Sequence, residues 1–356
     1  MTRLCIPLLA SLLLAAPAAA QLQIAPPVTT PSPPAEKPKP KATPQAAPRK
    51  KEAAPAPKPS ASPTPAPAAT VIPAPPAENP NVDLVYGAYQ RGQYKTAFEL
   101  ATARARTGDP KAMTMLGELY SNAMGIRRDY ARALDWYKRA SDAGDREAMF
   151  ALAMLRMSGR GGPVDKTEAV KLMASAAKLG EPKAAYNLAL LYLDGQTLPQ
   201  DVKRSAELLR QAADAGLPEA QYALATFYKE GTGVPKDLDR AVRLLQAASL
   251  ADNVDAEVEY AIALFNGTGT PQNRTAAVAL LRKASRQGSA IAQNRLAWVL
   301  INGMGAPVDK IEGFKWHLIA KTSGKGDPEL DKQFSELAAE DRTKAEAAAR
   351  KWLGTK

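Results

Sequence analysis

The 356-residue chain has one cysteine, Cys5, and one histidine, His317. Cys5 stands near the start of an N-terminal apolar run, whereas a lipidated cysteine would follow such a run. If that segment is removed, the rest of the chain has no thiol. It can then form no disulfide, Cys-based metal site or Cys nucleophile. A single histidine without cysteine argues against a transition-metal site, and neither a metal nor another cofactor is expected. Beyond the first twenty residues no apolar run is long enough to cross a bilayer. A dense basic stripe is also missing. The net charge is +11, but residues 81–356 hold 39 basic and 33 acidic side chains, which argues against nucleic-acid binding.

What is present is sharply partitioned. Arg3, the apolar stretch from Leu4 to Ala16, and the small residues Ala18 and Ala20 have the order of a signal peptide, with cleavage expected after Ala20. Retention as an N-terminal membrane anchor is the alternative, against which the stretch is too short for a span and contains Pro7. The expected destination is the periplasm or the exterior. Residues 21–80 hold 19 of the 30 prolines, with almost nothing to bury. Such a segment cannot offset its ordering entropy and reads as a disordered tether of polyproline II character. Its seven basic and three acidic residues suit weak contact with an anionic envelope surface.

After Pro80 the chain repeats every 36 residues. One series is Ala112, Ala148, Ala184, Ala220, Ala256 and Ala292. A second is Leu116, Leu152, Leu188, Leu224, Tyr260 and Leu296, and a third is Ala140, Ala176, Ala212, Ala248, Ala284 and Ala320. Gly144, Gly180, Gly216, Asp252, Gly288 and Gly324 close the units, with no gap from Asp109 to Gly324. Each unit carries two helical stripes. In the first copy these are Ala112, Leu116, Leu119 and Tyr120, then Ala133, Trp136, Tyr137 and Ala140. Between them stand Gly125, free to take positive φ, and Asp129, placed to cap the second helix. Alanines at recurring positions let helix axes approach closely, and the large residues fill the remaining space.

The pattern A-x-x-x-L-G-x-L-Y, then G and D, then A-x-x-W-Y-x-x-A-x-x-x-G resembles the Sel-one-like repeat, a longer-looped relative of the tetratricopeptide repeat. The first copy carries it as Ala112, Leu116, Gly117, Leu119, Tyr120, Gly125, Asp129, Ala133, Trp136, Tyr137, Ala140 and Gly144. Later copies depart at Arg156, Thr197 and Asp252. The resemblance implies an all-α fold, a right-handed superhelix of antiparallel helix pairs. Six repeats occupy 109–324, with a degenerate tetratricopeptide-like hairpin at 81–108 and capping helices at 325–356.

Apparent catalytic motifs fall where the repeat already dictates the residues. Ser175 and Lys178 flank Ala176 in a second helix, Lys321 to Gly324 form a helix end, and Gly159 to Gly162 form a turn without a phosphate-binding lysine. His317 occupies the Tyr137 position and reads as a packed side chain. Asn266 and Asn273 begin glycosylation-type triplets at a helix end and a cap. No catalytic residue is expected.

The first-helix face opposite the packing stripe varies between copies while the stripe does not. Tyr186, Asn187, Tyr222, Glu259, Asn294, Arg295 and Trp298 lie on it, with Phe150, Lys229, Glu230, Phe265 and Asn302. The resemblance implies that first helices line a concave groove, here for a peptide segment or helix of another protein. It also implies roles such as adaptor, envelope-signalling regulator or host-contact factor. A peptidoglycan- or glycan-binding envelope protein is the alternative, and a monomer is expected.

Overall fold

A computed structural model describes residues 83–354. The expected signal peptide and tether lie outside the described residues. Sixteen helices and no strand occur among the described residues, giving an all-α repeat solenoid. Helices α1 (Leu84–Gln90) and α2 (Tyr94–Arg106) precede the repeats. The first helices of the six units are α3 (Pro110–Asn122), α5 (Arg146–Ser158), α7 (Pro182–Asp194), α9 (Pro218–Glu230), α11 (Val254–Asn266) and α13 (Ala290–Asn302). The second helices are α4 (Tyr130–Asp142), α6 (Lys166–Lys178), α8 (Val202–Asp214), α10 (Leu238–Leu250), α12 (Arg274–Arg286) and α14 (Lys310–Thr322). Helices α15 (Pro328–Ser335) and α16 (Ala339–Gly354) follow.

Local chemistry sets the uniform lengths. Asp129, Asp165, Asp201, Asp237, Asn273 and Asp309 each accept from a backbone N–H three residues on, at 2.9–3.0 Å, and so start every second helix. Most first helices start the same way, on Asp109, Asp145, Glu181, Asn253 and Ser289. Leu217 offers no cap, and α9 opens on Pro218 instead. A left-handed residue closes each first helix. It is a glycine in copies two to six and Ala123 in copy one, at φ 58°. Asp252 replaces the unit-closing glycine and keeps its backbone conformation, also at φ 58°.

The alanine series are the core. All six residues of the Ala140 series are fully buried, and those of the Ala112 series nearly so. Volume is exchanged between facing positions. A Cβ on Gly117 would stand 2.6 Å from the Tyr137 ring, so the bulky ring of copy one requires that glycine. Later copies pair alanine at this position with Met173, Leu209, Leu245 or Leu281, all buried. His317 occupies the same slot in copy six, fully buried, with Nε2 2.9 Å from Asp331 Oδ1.

Each helix packs mainly on its neighbours in sequence, the nearest-neighbour pattern of a solenoid. At the C-terminal end α16 crosses back onto α14, where the Trp316 and Trp352 rings meet edge-on at 5.1 Å. Leu330 of α15 is fully buried, and Phe334 lies 5.3 Å from Phe314.

Candidate functional site

The variable face of the first helices holds two kinds of side chain. One kind is consumed within the fold. Asn187 donates from Nδ2 to the Lys183 carbonyl of its own helix at 2.8 Å. Phe265 is buried under the Arg274 guanidinium, 5.1 Å from its ring centre, and is not offered to a partner. The chain after α14 returns to this face. Asn294 donates to the Lys325 carbonyl at 3.3 Å, and Trp298 donates from Nε1 to Asp327 at 2.9 Å. Asp327 also caps α15 through the Glu329 and Leu330 amides. The indole therefore spends its polar tip holding the C-terminal segment.

The other kind forms a half-buried polar cluster spanning α9, α11 and α13. Lys229 Nζ lies 3.1 Å from Glu259 Oε2, bridging two successive first helices. Burial raises the Tyr222 phenol above its ordinary value, and the carboxylates of Glu259, Asp255 and Glu230 raise it further. Tyr222 thus stays neutral and keeps a proton to donate. Burial presses the Arg295 guanidinium downward, while the charges of Asp327 and Glu259 oppose that. Glu259 therefore acts electrostatically on both Tyr222 and Arg295. Tyr186 is partly buried against the same apolar cluster as Tyr222.

Chemically this surface can donate and accept hydrogen bonds and offer aromatic area. It shows no nucleophile activated by a base. No group of three or more metal-ligating side chains occurs among the described residues, and none of their helices is long and apolar enough to cross a membrane. Sequence reasoning missed the role of Lys325, at the very end of the last repeat, and of Asp327, which stands beyond it. Asp327-Pro328 does repeat the cap-and-proline pair Asp109-Pro110, two residues out of phase, and was the available signal.

Against known proteins, the Sel1 repeat model matches six consecutive segments, 110–145, 146–181, 182–217, 218–253, 254–289 and 290–325. The chain belongs to the Sel1 repeat family. Its solenoid is similar to a Sel1 repeat protein from Oxalobacter formigenes, at 26% identity and a TM-score of 0.61, over 68% of this chain and 100% of that one. It is also similar to c5321, a protective antigen of uropathogenic Escherichia coli strains with an SLR fold. There the identity is 24% and the TM-score 0.65, over 76% of this chain and 60% of that one, a likeness of fold. No curated protein is a significant match. Sel1 repeat proteins act in general as protein–protein interaction scaffolds, typically without catalysis.

Proposed function

We propose that this Sel1 repeat protein is an exported adaptor, in the manner of an envelope-signalling regulator. It holds a peptide segment or helix of a partner protein against the first-helix face, lined as a concave groove. The observation that carries this reading is the cluster of Tyr222, Glu259 and Arg295. These are polar and aromatic side chains at positions that differ from copy to copy beside an unchanging alanine core. Tyrosine supplies rigid area with a polar tip, and arginine can fork onto a carboxylate or onto carbonyls, which suits peptide recognition. Tyr186 extends the surface toward the N-terminus, and Asn294 and Trp298 fix its C-terminal margin.

Export rests on the order of residues 1–20, with cleavage after Ala20. Residues 21–80 serve as the tether of a monomeric binding module, and their lysines favour an anionic envelope surface. The test is crosslinking in intact envelopes followed by mass spectrometry. A protein crosslinked through residues of α7, α9 or α11 supports the reading. Co-sedimentation with purified sacculi and no protein crosslink replaces it with glycan binding.

A further inference from the structure

On the second-helix side, two arginines from different repeats converge on one phenol. Tyr228, near the end of α9, is 5% exposed. Its hydroxyl oxygen accepts from Arg210 Nη2 of α8 at 3.3 Å and from Arg240 Nη1 of α10 at 3.4 Å. Both bonds are long for N–H···O, and each guanidinium carries five N–H donors. Asp237 answers Arg240 in part: Oδ2 lies 3.1 Å from its Nε, and Oδ1 caps its backbone N–H. No carboxylate within bonding distance answers Arg210 among the described residues. With both lone pairs of the phenol taken, its own O–H proton has no protein acceptor among the described residues. Three helices thus bring donors to one point, with a net charge of one positive.

The same chain contains its own control. In copy one, Arg132 donates to the Tyr120 hydroxyl at 3.2 Å, in the arrangement of Arg240 and Tyr228. Thr102 stands there in place of Arg210, and its hydroxyl is committed to the Phe98 carbonyl at 2.7 Å. In copy three the equivalent Arg204 is neutralised by Glu207 at 2.7 Å. A stacking staple needs only the single arginine of copy one, so the second arginine at Tyr228, supplied by copy three, requires another reason.

We infer that Arg210, Arg240 and the Tyr228 hydroxyl form an oxyanion-binding site, taking a carboxylate or phosphate group on the exposed guanidinium forks. Two forks and a hydroxyl match the several acceptor oxygens of such a group, whereas a spherical halide offers no pair of acceptor atoms for a fork to meet in bidentate geometry. Burial raises the Tyr228 phenol, but the two guanidiniums outweigh it and hold the phenol below its ordinary value, consistent with a locally positive field. The site is distinct from the first-helix face, so it stands or falls separately from the proposed function.

The experiment is a titration of the full chain carrying 13Cζ-labelled tyrosine, with Tyr228 assigned through Tyr228→Phe. Inorganic phosphate and an acetylated Glu-Glu-Glu amide are added separately, against sodium chloride at equal ionic strength. The expected result is a saturable shift of the Tyr228 signal with phosphate, with the peptide or with both. Saturation by phosphate assigns a phosphoryl ligand, and saturation by the peptide assigns an acidic protein segment. Tyr120, with one arginine at its hydroxyl, should show no saturation over the same concentration range. Arg210→Gln should abolish saturation with helicity retained, and Arg132→Gln should leave it unchanged. Should Arg210→Gln unfold, Arg210→Lys, which keeps the charge but not the fork, should weaken binding about tenfold. Equal shifts with chloride, equal saturation of Tyr120 and Tyr228, or an unaltered titration in the arginine variant would each overturn the site.

Discussion

Replacing Gly233 with alanine tests how one repeat is seated on the last. Gly233 lies in the loop after α9 at φ 65°, and a Cβ there would stand 2.6 Å from the Val202 carbonyl oxygen and 3.0 Å from Val202 Cγ1. Val202 opens α8 in the preceding repeat, so the contact is backbone against backbone and neither side can rotate away. Gly216 isolates the conformational part. It has φ 84°, and a Cβ there would meet no atom within 4 Å, so alanine loses only the freedom of the left-handed region. That part costs about 1 kcal/mol. Gly233→Ala adds the forced separation of two repeats, roughly 1–3 kcal/mol more, comparable to overpacking a core. Urea unfolding followed by circular dichroism reads both variants. A clearly lower midpoint is expected for Gly233→Ala than for Gly216→Ala. Equal midpoints would refute the claim that these loop glycines set the spacing between repeats.

Other outcomes follow from the same contacts. Ala184→Leu or Ala220→Leu should each cost roughly 1–3 kcal/mol and broaden the melt, because both sites are fully buried and each repeat touches only its neighbours; calorimetry checks this. The hydrogen bond from Lys321, and then that from His317, hold the Asp331 carboxyl below the usual carboxylate range. A depressed carboxylate stabilises the fold above its unfolded pKa of about 3.9, and that contribution is lost as pH falls through the lower folded value. The stability gap between wild type and Asp331→Asn should therefore be present at about pH 6 and close toward about pH 3, measured by urea midpoints. Trp298→Phe removes the bond to Asp327 and should loosen α15, raising hydrogen exchange at Leu330 while leaving α9 unchanged.

The repeat is legible in the sequence because packing imposes it. The Ala112 and Ala140 series read as contact positions from their spacing alone, and both are buried throughout. The second-helix caps are equally legible, since an Asp or Asn before an apolar stripe has a direct bonding reason. The left-handed residue that ends each first helix is not. Gly159, Gly231, Gly267 and Gly303 stand two positions before the more regular loop glycines, and Ala123 breaks the glycine pattern in copy one. The variable face is harder still. Helical periodicity places Phe265 and Trp298 on it, but periodicity cannot show that Arg274 covers the first or that Asp327 returns to bond the second. Arg274 opens α12 at a repeat position whose residue changes from copy to copy, and Asp327 stands beyond the last repeat.

The proposed function stands on the first-helix face around Tyr222 receiving a partner protein. With the crosslinked partner in hand, calorimetric titration of wild type against the Tyr186→Ala, Tyr222→Ala and Arg295→Ala triple variant is the direct measurement. Binding should weaken by about 2 kcal/mol or more, with helicity retained. Wild-type affinity in a folded triple variant would contradict it.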